Sequence, residues 1–408
     1  MSVTFKTMPR RILVRGTNWL GDAVMTTPAL ARLREKFPEA HIALLTPEKL
    51  RDLWMNHSAV NEIVSFAPGE SIFAVGRKLR AGKFDLALVL PNSPRSAIEA
   101  WLAGIPQRIG GARPWRNFFL TQAVTPRAET AKMRKRSVAE VQRLVAGEKI
   151  GNRKSEIGNS NAHQIHDYLH LVAALGANPE PVKPQLSVTP VEVEAVKKKF
   201  GLAEIAQPIL GMNPGAEYGP AKRWPVERFI AAARDIQQRT NCVWLIFGGT
   251  GDMELASHIY SELRTPNSEL QNLSAKTSLR ELMALLKLCR VLLTNDSGPM
   301  HVAAALGTPV VVPFGSTSPE LTGPGLPGDL PAWPERMDQI HRTTHQQLET
   351  KEALETLRRG EGPRHRLLRS DAPCSPCFRR ECPIDFRCMN GIGVERVVEA
   401  VLQCSGAL

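Results

Sequence analysis

A loop near the start of this 408-residue chain carries a carboxylate that could act on a proton. Asp22 follows the first apolar run and opens a helical pattern, and the turn before it contains Gly16 and Gly21. The two glycines let the backbone turn tightly at this point. A carboxylate in such a place can accept the proton of an alcohol as a general base, and it can equally cap the helix. Both roles remain open for Asp22.

Three later loops suit an anionic ligand such as a nucleotide. The segment 213–225 is rich in small residues and contains a basic pair, and the segment 247–254 ends in carboxylates able to bind ribose hydroxyls. In the segment 294–301 small polar residues precede an apolar helix, whose first N–H groups can hold a phosphate. A solvated basic loop and a structural histidine are the competing interpretations. The candidate donor-binding residues are Lys222, Asp252, Glu254, Asp296, Ser297, Gly298 and His301.

Short apolar runs alternate with helical patterns along the whole chain and must position these loops. The runs are 12–14, 41–45, 63–66 and 86–90, then 209–212, 243–247, 291–294 and 310–314. Continuous hydrophobicity predicts strands buried on both faces, and the helices between them predict parallel βαβ units. The fold class is therefore α/β, with two doubly wound domains whose ligands bind where the strands end.

A proline-rich segment, 177–184, should separate the domains, which we place at 1–180 and 185–408. Two stretches read as insertions: a basic one at 128–161 in the first domain and a charged one at 328–370 in the second. The cluster Cys374, Cys377, Cys382 and Cys388 is either a metal site or a set of free thiols, and we assign no metal to it. We expect the cluster to take no part in chemistry, since none of its members follows a predicted strand.

The composition limits the partners. Lys and Arg outnumber Asp and Glu by 52 to 40, which favours an acidic partner such as nucleic acid, a membrane surface or a phosphorylated substrate. With three Tyr and no nucleic-acid-binding signature, nucleic acid is the weakest of these. No apolar stretch is long enough for a membrane span, and no secretory signal is visible, so the cytoplasm is the expected location.

Three motifs, in this order along the chain, resemble those of the bacterial ADP-heptose:lipopolysaccharide heptosyltransferases. They are Gly21-Asp22 with 28–30, the segment 214–225, and the segment 295–305. The sequence PGAEYGPAKRWP at 214–225 is closest to the heptosyltransferase II branch of that family. The resemblance implies a GT-B fold, in which two Rossmann-like domains face each other across a cleft, with the acceptor held by the first domain and ADP-heptose by the second.

The same resemblance implies roles for individual residues. Asp22 resembles the family's catalytic base, Lys222 its phosphate- and sugar-contacting lysine, and Asp296 its heptose-binding carboxylate. Either Asp252 or Glu254 resembles the acid that contacts ribose. The family is inverting and uses no metal or other cofactor.

The activity implied is transfer of L-glycero-D-manno-heptose from ADP-heptose to the heptose of the lipopolysaccharide inner core, at the cytoplasmic face of the inner membrane. The acceptor would be heptosyl-Kdo-lipid A, and the enzyme would touch the anionic membrane surface peripherally. Transfer of the first or third heptose is the alternative within the family. A nucleotide-sugar epimerase and a basic, cysteine-cluster nucleic-acid-binding protein are more distant alternatives.

Overall fold

Two six-stranded parallel sheets, each flanked by helices, form the fold. The computed structural model describes residues 7–130, 133–148, 162–265, 270–325 and 365–406. The chain divides into two compact units, one formed by 1–130 with 163–187 and the other by 131–162 with 188–408. Each unit has its own hydrophobic core. In the parts of the chain that the structure describes, no helix is long and apolar enough to cross a bilayer.

The first unit contains a sheet with the strand order β3-β2-β1-β4-β5-β6, all parallel. This is the order of a doubly wound nucleotide-binding fold. Its strands are β1 Arg11–Arg15, β2 His41–Pro47, β3 Glu62–Phe66, β4 Leu86–Val89, β5 Gln107–Gly111 and β6 Gln122–Val124. Its helices are α1 Leu20–Met25, α2 Thr27–Lys36, α3 Ile72–Arg80, α4 Pro94–Leu102 and α6 Ile165–Ala173, with 3-10 helices at Glu48–Trp54 and Asn117–Phe119.

The second unit repeats that topology, with the strand order β12-β11-β10-β7-β8-β9 and parallel pairing throughout. Its strands are β7 Ile209–Asn213, β8 Val243–Ile246, β9 Leu270–Asn272, β10 Leu292–Thr294, β11 Val310–Pro313 and β12 Arg366–Leu368. Its helices are α5 Val138–Val145, α7 Pro190–Lys199, α8 Val226–Thr240, α9 Met253–Leu263, α10 Leu279–Leu288, α11 Gly298–Ala305, α12 Pro319–Thr322, α13 Arg387–Asn390 and α14 Val394–Ser405, with 3-10 helices at Pro220–Lys222 and Thr250–Asp252.

The eight apolar runs of the sequence correspond to β1, β2, β3, β4, β7, β8, β10 and β11, so the prediction of two parallel α/β units is confirmed. The strands β5, β6, β9 and β12 were missed. They are short, and β5 and β9 read QRIGG and LQN, without an apolar run. Three of the four, β6, β9 and β12, are edge strands, which pack on one neighbour only and need less hydrophobic sequence.

Two segments differ from the expected domain assignment. The basic stretch placed in the first domain groups with the second unit: the Arg136 backbone N–H donates to the Cys377 carbonyl at 3.0 Å, and Val141 of α5 packs against Cys374 and Cys377. Most of the expected insertion 328–370 lies outside the described residues, but its end contains β12. The four-cysteine segment therefore follows a strand of the second sheet, so the reason given for excluding it from the chemistry was wrong.

Candidate functional site

Asp22 lies in the first turn of α1, three residues after Trp19, which occupies the N-cap position. The loop before it leaves β1 and is drawn close to the next strand, because the Gly16 N–H donates to the Leu45 carbonyl at 2.9 Å. Gly21 lies inside the first turn of α1. Asp22 is therefore not the N-cap residue, although a carboxylate in the first turn still interacts favourably with the helix dipole. The sequence left two roles open for Asp22, general base and N-cap residue, and the structure excludes the N-cap.

A buried ion pair holds this loop. Arg15, only 1% exposed, donates from Nε to Oε2 of Glu99 at 2.9 Å and from Nη1 to Oδ1 of Asn18 at 2.8 Å. Glu99 lies on α4, is fully buried, and also accepts from Arg95 Nε at 2.8 Å. Burial lowers the pKa of Arg15, while the Glu99 carboxylate opposes that shift. The sequence offered one signal of this pair, an arginine at the end of an apolar strand.

Asp22 lines a pocket of about 290 Å³ within the first unit. Arg113, Arg127 and His170 line the same pocket, and Arg127 Nε lies 3.2 Å from Oδ1 of Asp167. The wall also includes Thr17, whose hydroxyl is buried and has no hydrogen-bond partner among the described residues. The pocket thus has two carboxylates, a buried hydroxyl without a described partner and two guanidinium groups, one of them paired with Asp167. Such a lining can receive a hydroxyl-rich ligand that carries negative charge.

Tyr168 adds to this pocket from α6. Its ring is buried, and its hydroxyl is within 2.8 Å of Gln164 Nε2. Burial raises the pKa of the Tyr168 hydroxyl, and the nearby Asp22 carboxylate raises it further, because a second negative charge beside Asp22 is unfavourable. Tyr168 is therefore a neutral hydroxyl at neutral pH that shares the pocket with Asp22. No sequence signal pointed to it, since it lies 146 residues further along the chain.

In the second unit, Lys222 and Asp296 are brought into contact. Lys222 Nζ lies 2.6 Å from Oδ2 of Asp296, and the two side chains are 14% and 5% exposed. The Thr317 hydroxyl, in the loop after β11, donates to the same Asp296 oxygen at 2.5 Å. These three residues come from the ends of three different strands, β7, β10 and β11. The structure thus brings together two of the residues predicted separately to bind the donor, and it adds Thr317, which sequence reasoning missed.

The start of α11 lies next to this pair. Ser297 is the N-cap residue of α11, but its side chain makes no capping hydrogen bond. Instead its hydroxyl lies 3.2 Å from Asn213 Nδ2 and 3.2 Å from Thr294 Oγ1. The first N–H groups of α11, beginning at Gly298, are therefore not closed by the cap side chain, and a helix start of this kind binds anions such as phosphate.

Asp252, at the end of the 3-10 helix that follows β8, contacts the loop 213–225. Its carboxylate accepts from the Gly249 N–H at 3.1 Å and lies 3.7 Å from Arg223 Nη2. A Cβ added to Gly215 would come within 2.3 Å of that carboxylate, so any other residue at 215 would displace the Asp252 side chain. Glu254 is an exposed residue in the first turn of α9. Of the two acids considered for ribose, Asp252 is the one beside the Lys222 loop.

His301 is more enclosed than its predicted role as a ligand contact implies. It is 6% exposed on α11, and burial lowers its pKa to about 4, with Lys222 lowering it further and Asp296 opposing the shift. His301 is therefore neutral at neutral pH and supplies no positive charge to a phosphate.

The four-cysteine segment supports the same loops. The Tyr218 hydroxyl donates to the Phe378 carbonyl at 2.9 Å, and the Ala221 N–H donates to the Arg380 carbonyl at 2.9 Å. The Cys377 N–H donates to the Ser316 carbonyl, next to Thr317, at 3.1 Å. None of the four cysteines is in a disulfide, and among the described side chains no three His, Cys, Asp or Glu are grouped as metal ligands.

Two doubly wound parallel sheets in tandem, with polar and charged side chains in the loops after their strands, are the architecture of the glycosyltransferases with the GT-B fold. A family model described as glycosyltransferase family 9 (heptosyltransferase) matches residues 72–357. Lipopolysaccharide heptosyltransferase 2 of Escherichia coli K12 is 31% identical over 323 residues, covering 77% of this chain and 85% of that protein. Its counterpart in Salmonella typhimurium LT2 is 32% identical over 326 residues, with the same coverage of 77% and 85%.

The solved structure of E. coli ADP-heptose LPS heptosyltransferase II matches with a TM-score of 0.70 at 25% identity, covering 97% of this chain and 98% of that one. That of E. coli heptosyltransferase WaaC with ADP has the same fold, with a TM-score of 0.62 at 15% identity over 97% and 99% of the two chains. The chain belongs to glycosyltransferase family 9, the heptosyltransferase family. Asp22 and the four-cysteine segment lie outside the residues that the family model matches.

Proposed function

We propose that this enzyme transfers L-glycero-D-manno-heptose from ADP-heptose to the heptose of the lipopolysaccharide inner core, with inversion at the anomeric carbon. The observation that carries the proposal is the pocket around Asp22. It combines the Asp22 carboxylate with Arg113 and with the ion pair of Arg127 and Asp167, which suits an acceptor that offers a hydroxyl and carries negative charge. The similarity to heptosyltransferase 2 proteins supports this particular acceptor.

In the proposed reaction the acceptor hydroxyl attacks the anomeric carbon of the donor and gives its proton to Asp22. The new bond forms between the acceptor oxygen and the anomeric carbon, and the bond from that carbon to the phosphate oxygen of ADP breaks. ADP leaves with the bonding electrons. A positioned carboxylate contributes roughly 10²- to 10⁴-fold to such a step.

Charge on the leaving ADP is stabilised by the second unit. Lys222 supplies a cation, and the N–H groups at the start of α11, near Ser297 and Gly298, supply hydrogen bonds. Asp296, held by Lys222 and Thr317, offers a second oxygen for a sugar hydroxyl, and Asp252 accepts from ribose. No metal or other cofactor takes part in this proposal.

We place the enzyme in the cytoplasm, at the cytoplasmic face of the inner membrane. A soluble nucleotide sugar and a lipid-anchored acceptor can meet at that surface, and a chain with a net charge of +12 is attracted to anionic lipid.

The test is transfer from ADP-heptose to a panel of purified lipopolysaccharide acceptors that carry no heptose, one heptose or two heptoses. Mass spectrometry should detect addition of a single heptose to the acceptor with one heptose, and NMR should show the inverted anomeric configuration. Transfer only to the acceptor without heptose, or only to the one with two, would assign the enzyme to the first or third heptose. No transfer to any member of the panel would contradict the proposal.

A further inference from the structure

The loop between β5 and β6 exposes two large aromatic rings to solvent. Trp115 is 90% exposed and Phe118 is 82% exposed, whereas most large apolar side chains of this unit are buried. The ring centroid of Phe118 lies 5.4 Å from that of Phe119, which in turn lies 5.5 Å from that of Trp101, itself 44% exposed. We call Trp101, Trp115 and Phe118 the aromatic ridge. Large exposed rings on one loop and on the helix next to it are a candidate binding surface.

The backbone of the ridge is held in place rather than loose. Trp115 has a φ of 65°, a left-handed conformation that is unfavourable for a bulky residue. The neighbouring Arg116 is fully buried and donates from Nη1 to Oδ1 of Asn92 at 3.3 Å, while the Arg113 N–H donates to Oδ1 of Asn117 at 2.9 Å. These contacts fix the loop with the Trp115 ring pointing outward. Packing of the core does not require this arrangement, whereas rigid presentation of the ring to a partner does.

The charged residues next to the ridge in sequence are basic. From 100 to 128 the chain contains four arginines and no Asp, Glu or Lys; Arg116 is buried, whereas Arg108, Arg113 and Arg127 are partly exposed. Large aromatic residues beside basic residues are typical of protein surfaces that sit at the headgroup level of a bilayer, because the rings partition into the interface and the cations attract anionic lipid.

The ridge also adjoins the pocket that contains Asp22. Arg113 and Gly111 line that pocket, and Trp115 follows Arg113 by two residues. A ligand that entered this pocket while anchored in a bilayer would bring the bilayer surface to the ridge.

We propose that the aromatic ridge is the surface by which this enzyme docks on an anionic lipid bilayer, with Trp115 and Phe118 inserted among the headgroups next to the acceptor pocket. The inference rests on the proposed function for its choice of a lipid-anchored acceptor. It adds the particular surface and the residues that make the contact.

The test compares the full chain with the variant Trp115→Asn/Phe118→Ser, in which Asn tolerates the left-handed backbone. The matched control is Phe73→Ser, which removes a 69% exposed ring from α3. In sedimentation with vesicles of phosphatidylcholine and phosphatidylglycerol, we expect the ridge variant to bind at least about tenfold more weakly, because two rings no longer leave water. The control should bind as the unmodified chain does, and all three proteins should have similar melting temperatures.

Activity on two forms of the acceptor separates docking from catalysis. On lipid-bearing acceptor in vesicles, kcat/KM of the ridge variant should fall by about the same factor as vesicle binding, whereas on deacylated, soluble acceptor it should be unchanged. Equal vesicle binding by all three proteins would overturn the proposal. The proposal would also be overturned if the ridge substitutions converted a dimer into a monomer without affecting vesicle binding, because a second copy of this chain would then cover the ridge. Normal vesicle docking without transfer to either acceptor would overturn the proposed function and leave the docking surface standing.

Discussion

Breaking the contact between Lys222 and Asp296 should separate a structural role of this pair from a role in donor binding. The variants are Lys222→Met, Asp296→Asn and the double variant. At 2.6 Å, with exposures of 14% and 5%, the pair lies between exposed pairs and fully buried ones. The free energy of unfolding should therefore fall by about 1–3 kcal/mol in each single variant, less than the full loss for a buried pair because Thr317 still bonds Asp296.

The double variant leaves neither partner unpaired. Its loss of unfolding free energy should therefore be smaller, by about 1 kcal/mol or more, than the sum of the losses in the two single variants. Its affinity for ADP should not recover in the same way. A charge-assisted hydrogen bond to phosphate is worth roughly 1.5–3 kcal/mol, so loss of Lys222 should weaken ADP binding by about 10- to 100-fold in both Lys222→Met and the double variant.

The assays are urea-induced unfolding and isothermal titration with ADP. Lys199→Met serves as the matched control, because Lys199 Nζ lies 2.6 Å from Glu281 in the same unit, but the two side chains are 52% and 26% exposed. That variant should lose at most about 1 kcal/mol and bind ADP normally. Normal ADP affinity in Lys222→Met, or affinity regained in the double variant, would refute the assignment of Lys222 to the donor site.

Three further changes test other parts of the structure. Asp22→Asn should lower kcat by roughly 10²- to 10⁴-fold while ADP affinity and melting temperature stay unchanged; near-normal kcat would place the base elsewhere. Glu99→Gln should cost about 2–4 kcal/mol of unfolding free energy in a urea titration, since Arg15 loses its buried counter-charge, and a loss below 1 kcal/mol would show that the pair is not needed. Burial lowers the pKa of His301 from 6.5 to about 4, so the unfolded chain binds more protons in this window and stability falls as pH drops from 6.5 to 4. His301→Gln should flatten that slope and leave the parts due to His57 and His166, whose pKa values are also lowered by burial; an unchanged slope would contradict the burial of His301.

The sequence was sufficient to predict elements that are buried on both faces. Runs such as 86–90 and 310–314 are continuous apolar segments because helices cover them on both sides of the sheet. The edge strand β9 has no such requirement, and its sequence LQN carries no strand signal. The segment before β12 is charged, so this edge strand was assigned to an insertion.

Candidate site residues could be proposed from the sequence where a loop follows a recognisable strand. Asp22, Lys222 and Asp296 were singled out because their loops begin at the carboxyl ends of such strands, and their roles remain predictions. Thr317 and the four-cysteine segment were missed as parts of the site, because their contacts depend on which strand lies beside which. Strand order is a property of the folded sheet, and a single sequence does not display it.

The ion pair between Arg15 and Glu99 limits how the loop 15–22 can be exchanged between related enzymes. The loop 15–22 looks like a portable module, yet one of its anchors is a carboxylate 84 residues away on α4. A chimaera that received this loop from a relative without arginine at its base would keep Glu99 buried with Arg95 as its remaining partner. Efforts to redirect acceptor choice by loop exchange should therefore move α4 together with the loop, because the two form a single unit of recombination.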